Sequence, residues 1–160
     1  MFNDSIKLTG ELKLTLTNGE GNVTQEVIVP NTVVTAGKNF ISNRMKDTVG
    51  GGHTVKTQMT HMEVGSGGAT AVTAADTTLE TIITGGSGNR TALTTAGGAV
   101  TANAVAYVCT FAAGYGTGAI TEAGIFNASS GGDMLARTVF SAINKAAADT
   151  LGITWTITVN

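Results

Sequence analysis

The last ten residues before the terminal Asn160 alternate strictly, with Leu151, Ile153, Trp155, Ile157 and Val159 at odd positions and Thr150, Gly152, Thr154, Thr156 and Thr158 at even ones. A two-residue period puts the bulky apolar groups on one face of a β-strand and the small polar ones on the other. The start of the chain has the same pattern. Ile6, Leu8, Leu12, Leu14 and Leu16 hold even positions and Lys7, Thr9, Glu11, Lys13, Thr15 and Thr17 odd ones, with only Gly10 interrupting the apolar row. Both ends therefore read as half-buried strands.

Between them the pattern predicts short strands and one helix. The first strand, about residues 5–17, meets Asn18-Gly19-Glu20-Gly21-Asn22, and Val23 to Val29 returns, which is a hairpin signal. The spacing of positions 37, 40, 41, 44 and 45 is helical instead, and predicts one short helix near residues 36–46 that Thr35 can cap. Further strands are expected over 58–64, 80–84, 90–95, 100–111, 120–127, 134–140 and 150–159. One helical turn is expected over 74–79, and residues 144–149 are read as a connecting loop. Eight or nine short strands at this spacing predict a mainly β protein. The expected fold is an antiparallel, jelly-roll-like β-sandwich forming a single domain over residues 1–160, with residues 1–5 as an N-terminal arm.

Composition sharpens the class. Charged residues make up 12% of the 160 residues, about half the usual share of a soluble domain, while 22 glycines and 28 threonines fill the turns and strands. So few charges imply that much of the surface meets another protein. The net charge is −2 and the nine cations are scattered, which argues against a nucleic-acid partner. Residues 91–121 carry no charge, yet their Thr, Asn and Gly content is unlike the run of about 20 apolar residues of a spanning helix, and no membrane association is expected. Met1 to Ser5 have no cationic or apolar leader pattern, so the chain is expected to be made and assembled inside a cell.

Candidate chemistry is sparse. Cys109, the single cysteine, lies with Val105, Tyr107 and Phe111 on one face and reads as a core residue. His53 sits in a glycine loop and His61 between Thr60 and Met62, without the spacing of a zinc site. His61 and Glu63 share a strand face as a weak polar pair. Gly65-Ser66-Gly67-Gly68-Ala69-Thr70 lacks the third glycine of a dinucleotide loop, and Gly37-Lys38-Asn39 lacks the rest of a phosphate loop. No serine has a nucleophile-elbow context. No catalytic residue, cofactor or metal is therefore assigned. Glu122 is the more telling residue, since it shares parity with the inward-looking Ile120, Gly124 and Phe126. A hairpin through 128–133 would bring it within diagonal reach of Arg137 as a cross-strand or intersubunit ion pair, whereas a bulge at Gly124 would turn it outward to solvent.

Several segments carry a resemblance. The run from Thr117 to Asn127, Met134 to Phe140, Ile143-Asn144-Lys145 and Leu151 to Ile157 resembles structural proteins of tailed-bacteriophage virions, as do Val33 to Ile41 and His61 to Gly67. The likeness covers most of the chain. It implies a non-enzymatic, β-rich, homo-oligomeric building block, with a trimer suiting a shell of local three-fold symmetry. The single short module favours a head decoration or cement protein bound to the major capsid protein, in a virion assembled in the bacterial cytoplasm. The alternative is a tail-fibre, collar or baseplate-associated protein, with receptor or glycan binding through Tyr115. Candidate interface residues are Met1, Phe2 and Asn3 of the arm, Gly51 and Gly52, and Tyr115 and Gly116, because uncharged glycine loops are costly to order unless something holds them. The strands over 5–17 or 150–160 are expected at a sheet edge, where they could add to a partner sheet.

Overall fold

A computed structural model describes residues 6–45, 56–83 and 90–160. In chain order the elements are β1 (Leu8–Thr17), β2 (Val23–Pro30), β3 (Thr32–Val33), α1 (Thr35–Met45), β4 (His61–Gly65), β5 (Arg90–Ala92), β6 (Ala99–Thr101), β7 (Ala104–Phe111), β8 (Gly118–Phe126), β9 (Met134–Lys145) and β10 (Thr150–Val159). The strands form two antiparallel five-stranded sheets, β2-β1-β10-β7-β6 and β3-β9-β8-β4-β5. Among the described residues the fold is mainly β with one short helix, arranged as a sandwich.

The two alternating ends of the sequence pair with each other, from Leu8 opposite Val159 to Thr17 opposite Thr150. Leu12 faces Trp155 and Leu14 faces Ile153, so the two apolar rows fall on one face, and all four residues are buried. Full burial of each such leucine contributes about 1.5–3 kcal/mol. Met62, Val64, Ile120, Ile125 and Ile143 of the second sheet complete the same core. Gly10, the gap in the apolar row, is where the Asn31 side chain lies, in space that a Cβ would fill. Helix α1 buries Phe40 in this core and sets Gly37 against the Leu135 carbonyl so closely that no Cβ fits between them.

Several expectations are corrected. β1 and β10 are interior strands; the edges are β2 and β6 in one sheet and β3 and β5 in the other. The residues over 100–111 are not one strand but two, β6 and β7, turned at Ala102, whose φ is +51°. Residues 74–83 form neither a helical turn nor a strand, only turns and one isolated bridge from Ile82 to Gly65. β9 runs on to Lys145, which shortens the last loop to residues 146–149. The sheets hold ten strands in place of eight or nine because β3 and the β6–β7 turn leave no pattern of their own.

Candidate functional site

The most concentrated polar chemistry lies on the outer face of the second sheet. The β8–β9 ladder is regular through Ile120 opposite Ile143, then shifts register so that Glu122 faces Val139. Here Phe140, Ser141 and Ala142 of β9 stand opposite Thr121 alone, and this irregularity reverses the facing of the residues beyond it. Ile120, Ala123 and Ile125 therefore point into the core, while Glu122, Gly124 and Phe126 point to the other side. Glu122 thus does not share a face with Ile120; the register shifts at Thr121 and again between Ile125 and Phe126, while Gly124 itself pairs regularly with Arg137. Nor does Glu122 reach solvent, because residues 66–83 cover it.

Glu122 and Arg137 are diagonal neighbours in one chain, 0% and 3% exposed. Arg137 Nε donates to Glu122 Oε2 at 2.9 Å, and Nη2 lies 2.7 Å from the same oxygen as a charge contact without hydrogen-bond alignment. Three backbone N–H groups of the covering segment also donate to this carboxylate. Gly67 and Thr81 reach Oε1 at 3.0 and 2.8 Å, and Glu80 reaches Oε2 at 3.0 Å. A carboxylate has about four lone-pair sites, and these four donors fill them. Arg137 extends the clamp through Asp76 at 2.7 Å and Glu80 at 3.5 Å. Burial opposes the Arg137 charge, but hydrogen bonds to Asp76 and Glu122 outweigh it and raise the guanidinium above its ordinary value. Chemically the arrangement is a clamp that holds residues 66–83 against the sheet. Its acceptor sites are occupied by the protein itself.

A second buried pair escaped the sequence reading. Glu63 and Arg90 meet at 2.8 Å, and Arg90 also donates to the carbonyls of Ala128 and Gly131 and lies 3.8 Å over the Phe126 ring. Glu63 pairs with Arg90, and His61 Nδ1 is 2.8 Å from the Thr60 hydroxyl. Burial, and secondarily the Arg90 charge, lowers the His61 imidazole below its ordinary value. The signal was a charge inside the apolar run Met62-Glu63-Val64, which calls for a partner. At the opposite end of the second sheet, buried Lys145 donates to the Ala112 carbonyl at 3.0 Å. Burial lowers its ammonium below the usual value, against a smaller opposing effect of Asp149.

The surfaces of the sheets differ. The outer face of the first sheet carries Thr9, Glu11, Lys13, Thr154, Val108 and Thr110, all exposed. An ion pair, Lys13 to Glu26 at 2.9 Å, crosses it. A groove of about 360 Å³ opens between α1 and the end of this sheet where Leu8 and Val159 meet. Of the candidate interface residues, Tyr115 is 41% exposed, whereas Gly116 is buried against Val64 and Phe111 with φ +55°. Gly116 therefore shapes the loop and Tyr115 presents it to solvent. Met1, Phe2, Asn3, Gly51, Gly52 and His53 lie outside the described residues.

Cys109 is fully buried, and burial pushes its thiol up to about 12. Among the described residues no group of three or more His, Cys, Asp and Glu side chains is placed to hold a metal ion, and no helix is long and apolar enough to cross a membrane. Comparison of the chain with protein-family models, with curated proteins and with solved structures returned no match.

Proposed function

We propose that this chain is a non-enzymatic structural component of a tailed-bacteriophage virion, a homo-oligomeric decoration or cement protein bound to the major capsid protein. The observation that carries this reading is the contrast between the two sheets. The outer face of the second sheet is closed by the 66–83 segment and its ionic clamp, while among the described residues the outer face of the first is exposed and rich in threonine and alanine. With few charged side chains to desolvate, such a β-face can be covered by another protein surface. The buried ionisable groups support the same reading. Glu122, Arg137, Glu63 and Arg90 each hold loops or strands of their own chain in place. The resemblance of the segments now seen as β8, β9 and β10 to phage structural proteins supplies the virion context.

Imaging of intact particles with this chain labelled by antibody or gold tests the proposal. Label distributed over the head shell is the expected result. Label confined to the tail would replace it with the tail-fibre, collar or baseplate alternative, and particles without label would overturn both.

A further inference from the structure

We infer that copies of this chain associate head to tail, the Tyr115 loop at one end of the sandwich entering the α1 groove at the opposite end of the next copy. The inference rests on the homo-oligomeric part of the proposed function and names the two surfaces involved. The strand register defines the ends. Leu8, Val159 and Ala104 lie at one, and Thr17, Thr150 and Phe111 at the other.

The first end is apolar and basic. Leu8, Ile41, Met45, Met59, Val105 and Val159 line the groove, and Met45 is 73% exposed. Arg44 stands in its wall, and Lys7 and Lys38 line the adjoining hollow that shares Leu8. Among the described residues no Asp or Glu lines either. A volume of about 360 Å³ lies within the range of roughly 300–1,000 Å³ in which clefts enclose small ligands and side chains.

The second end is acidic at its surface. Its loops, 18–22, 112–117 and 146–149, contain the exposed Glu20 and the half-buried Asp149 and no Lys or Arg, and the neighbouring Lys145 is buried with its ammonium on the Ala112 carbonyl. Tyr115 projects from the middle loop, which is fixed by the Tyr115 N–H to the Ala112 carbonyl at 3.1 Å and by the Gly114 N–H to the Ala147 carbonyl at 2.7 Å. On a backbone so fixed, an aromatic with two side-chain torsions and a polar tip loses little freedom on docking, which is why tyrosine serves well as an interface anchor. Apolar groove meets aromatic, and cations meet acids. Two different patches in contact make a heterologous interface, which closes into a ring if the rotation allows.

The test uses sedimentation velocity on the full chain, the Tyr115→Ala variant and the Arg44→Glu/Met45→Glu variant, all changed at exposed positions. Wild type is expected to self-associate across the micromolar range, each variant alone to weaken association by about tenfold or more, and an equimolar mixture of the two to form dimers but nothing larger. The mixture works because each variant retains one intact surface, and its dimers also show that both variants are folded. A wild type that stays monomeric would overturn the inference together with the homo-oligomeric reading. Wild type and both variants associating equally would overturn the inference and leave homo-oligomers standing. Two monomeric variants that fail to complement one another would overturn the head-to-tail arrangement.

Discussion

The Glu122 carboxylate and the Arg137 guanidinium, two pairs of residues apart along the β8–β9 ladder, meet beneath residues 66–83 with Arg137 Nη2 2.7 Å from Glu122 Oε2. Such a pair is not in itself a source of great stability, because removing two charges from water offsets much of their attraction. Its consequence lies in what it holds. Gly67, Glu80 and Thr81 all donate their N–H groups to the carboxylate, so an irregular segment gains a fixed position without a strand ladder.

Removing one partner leaves the other buried and uncompensated. Arg137→Met is expected to lower unfolding stability by roughly 3–5 kcal/mol. Arg137→Met combined with Glu122→Gln should lose less than the sum of the two, with a coupling of roughly 0.5–3 kcal/mol. Urea denaturation of the four proteins in the cycle measures this, and strictly additive losses would show that the pair is not coupled.

Acid should loosen the same clamp. Burial works to raise the Asp76 carboxyl, but hydrogen bonds from Thr73 and Arg137 outweigh it and hold it below the usual value. Hydrogen bonds from Thr70 and Gly68 hold Glu80 low as well. Both groups then bind protons less readily folded than unfolded, so their stabilisation is complete above the unfolded range near pH ~4 and is lost as pH falls through the lower folded values. Thermal melts from neutral pH to about pH 2 should show Tm declining below that range, with a shallower decline in Asp76→Asn. A Tm independent of pH across the carboxylate range would contradict this.

Gly37→Ala separates helix propensity from packing. Alanine favours a helix interior by about 1 kcal/mol over glycine, yet a Cβ at this position falls on the Leu135 carbonyl. Overpacking typically costs about 1–3 kcal/mol, and the net expectation is a lower Tm. A gain on substitution would mean that α1 can shift away from β9 freely.

The Cys109 thiol should be silent in the native protein. With its ionisation pushed up to about 12 and its side chain buried, neither thiolate nor access is available to a maleimide at neutral pH. Labelling followed by mass spectrometry is expected to be negligible without denaturant and complete in concentrated urea. Rapid labelling under native conditions would show that β7 opens locally.

The sequence was most informative where a pattern depends only on neighbours along the chain. Leu12, Leu14 and Leu16 against Lys13, Thr15 and Thr17, and the same alternation from Thr150 to Val159, are strands because pleating places alternate side chains on opposite faces. The turn 18–22 joins β1 to β2, and the spacing after Val34 gives α1 over Thr35–Met45. The diagonal approach of Glu122 to Arg137 was also legible, since a hairpin of that length makes them neighbours.

Other features were decided by contacts between residues far apart in the chain. Nothing in the alternation of β1 or β10 tells an edge from an interior strand, because that depends on which other strands supply hydrogen bonds on each side. At Thr121 the ladder sets three residues of β9, 140–142, against one of β8, and only the register between the two strands reveals it. The choice of Arg90 by Glu63 and the burial of Lys145 beneath the Ala112 carbonyl likewise come from loops brought over the sheets. Local sequence therefore determined the strands and their apolar faces, through the geometry of successive peptide units. Tertiary structure decided strand order, the turned face of β8 and the partners of Glu63 and Lys145, because hydrogen bonds and ion pairs form between whichever groups the folded chain brings within reach.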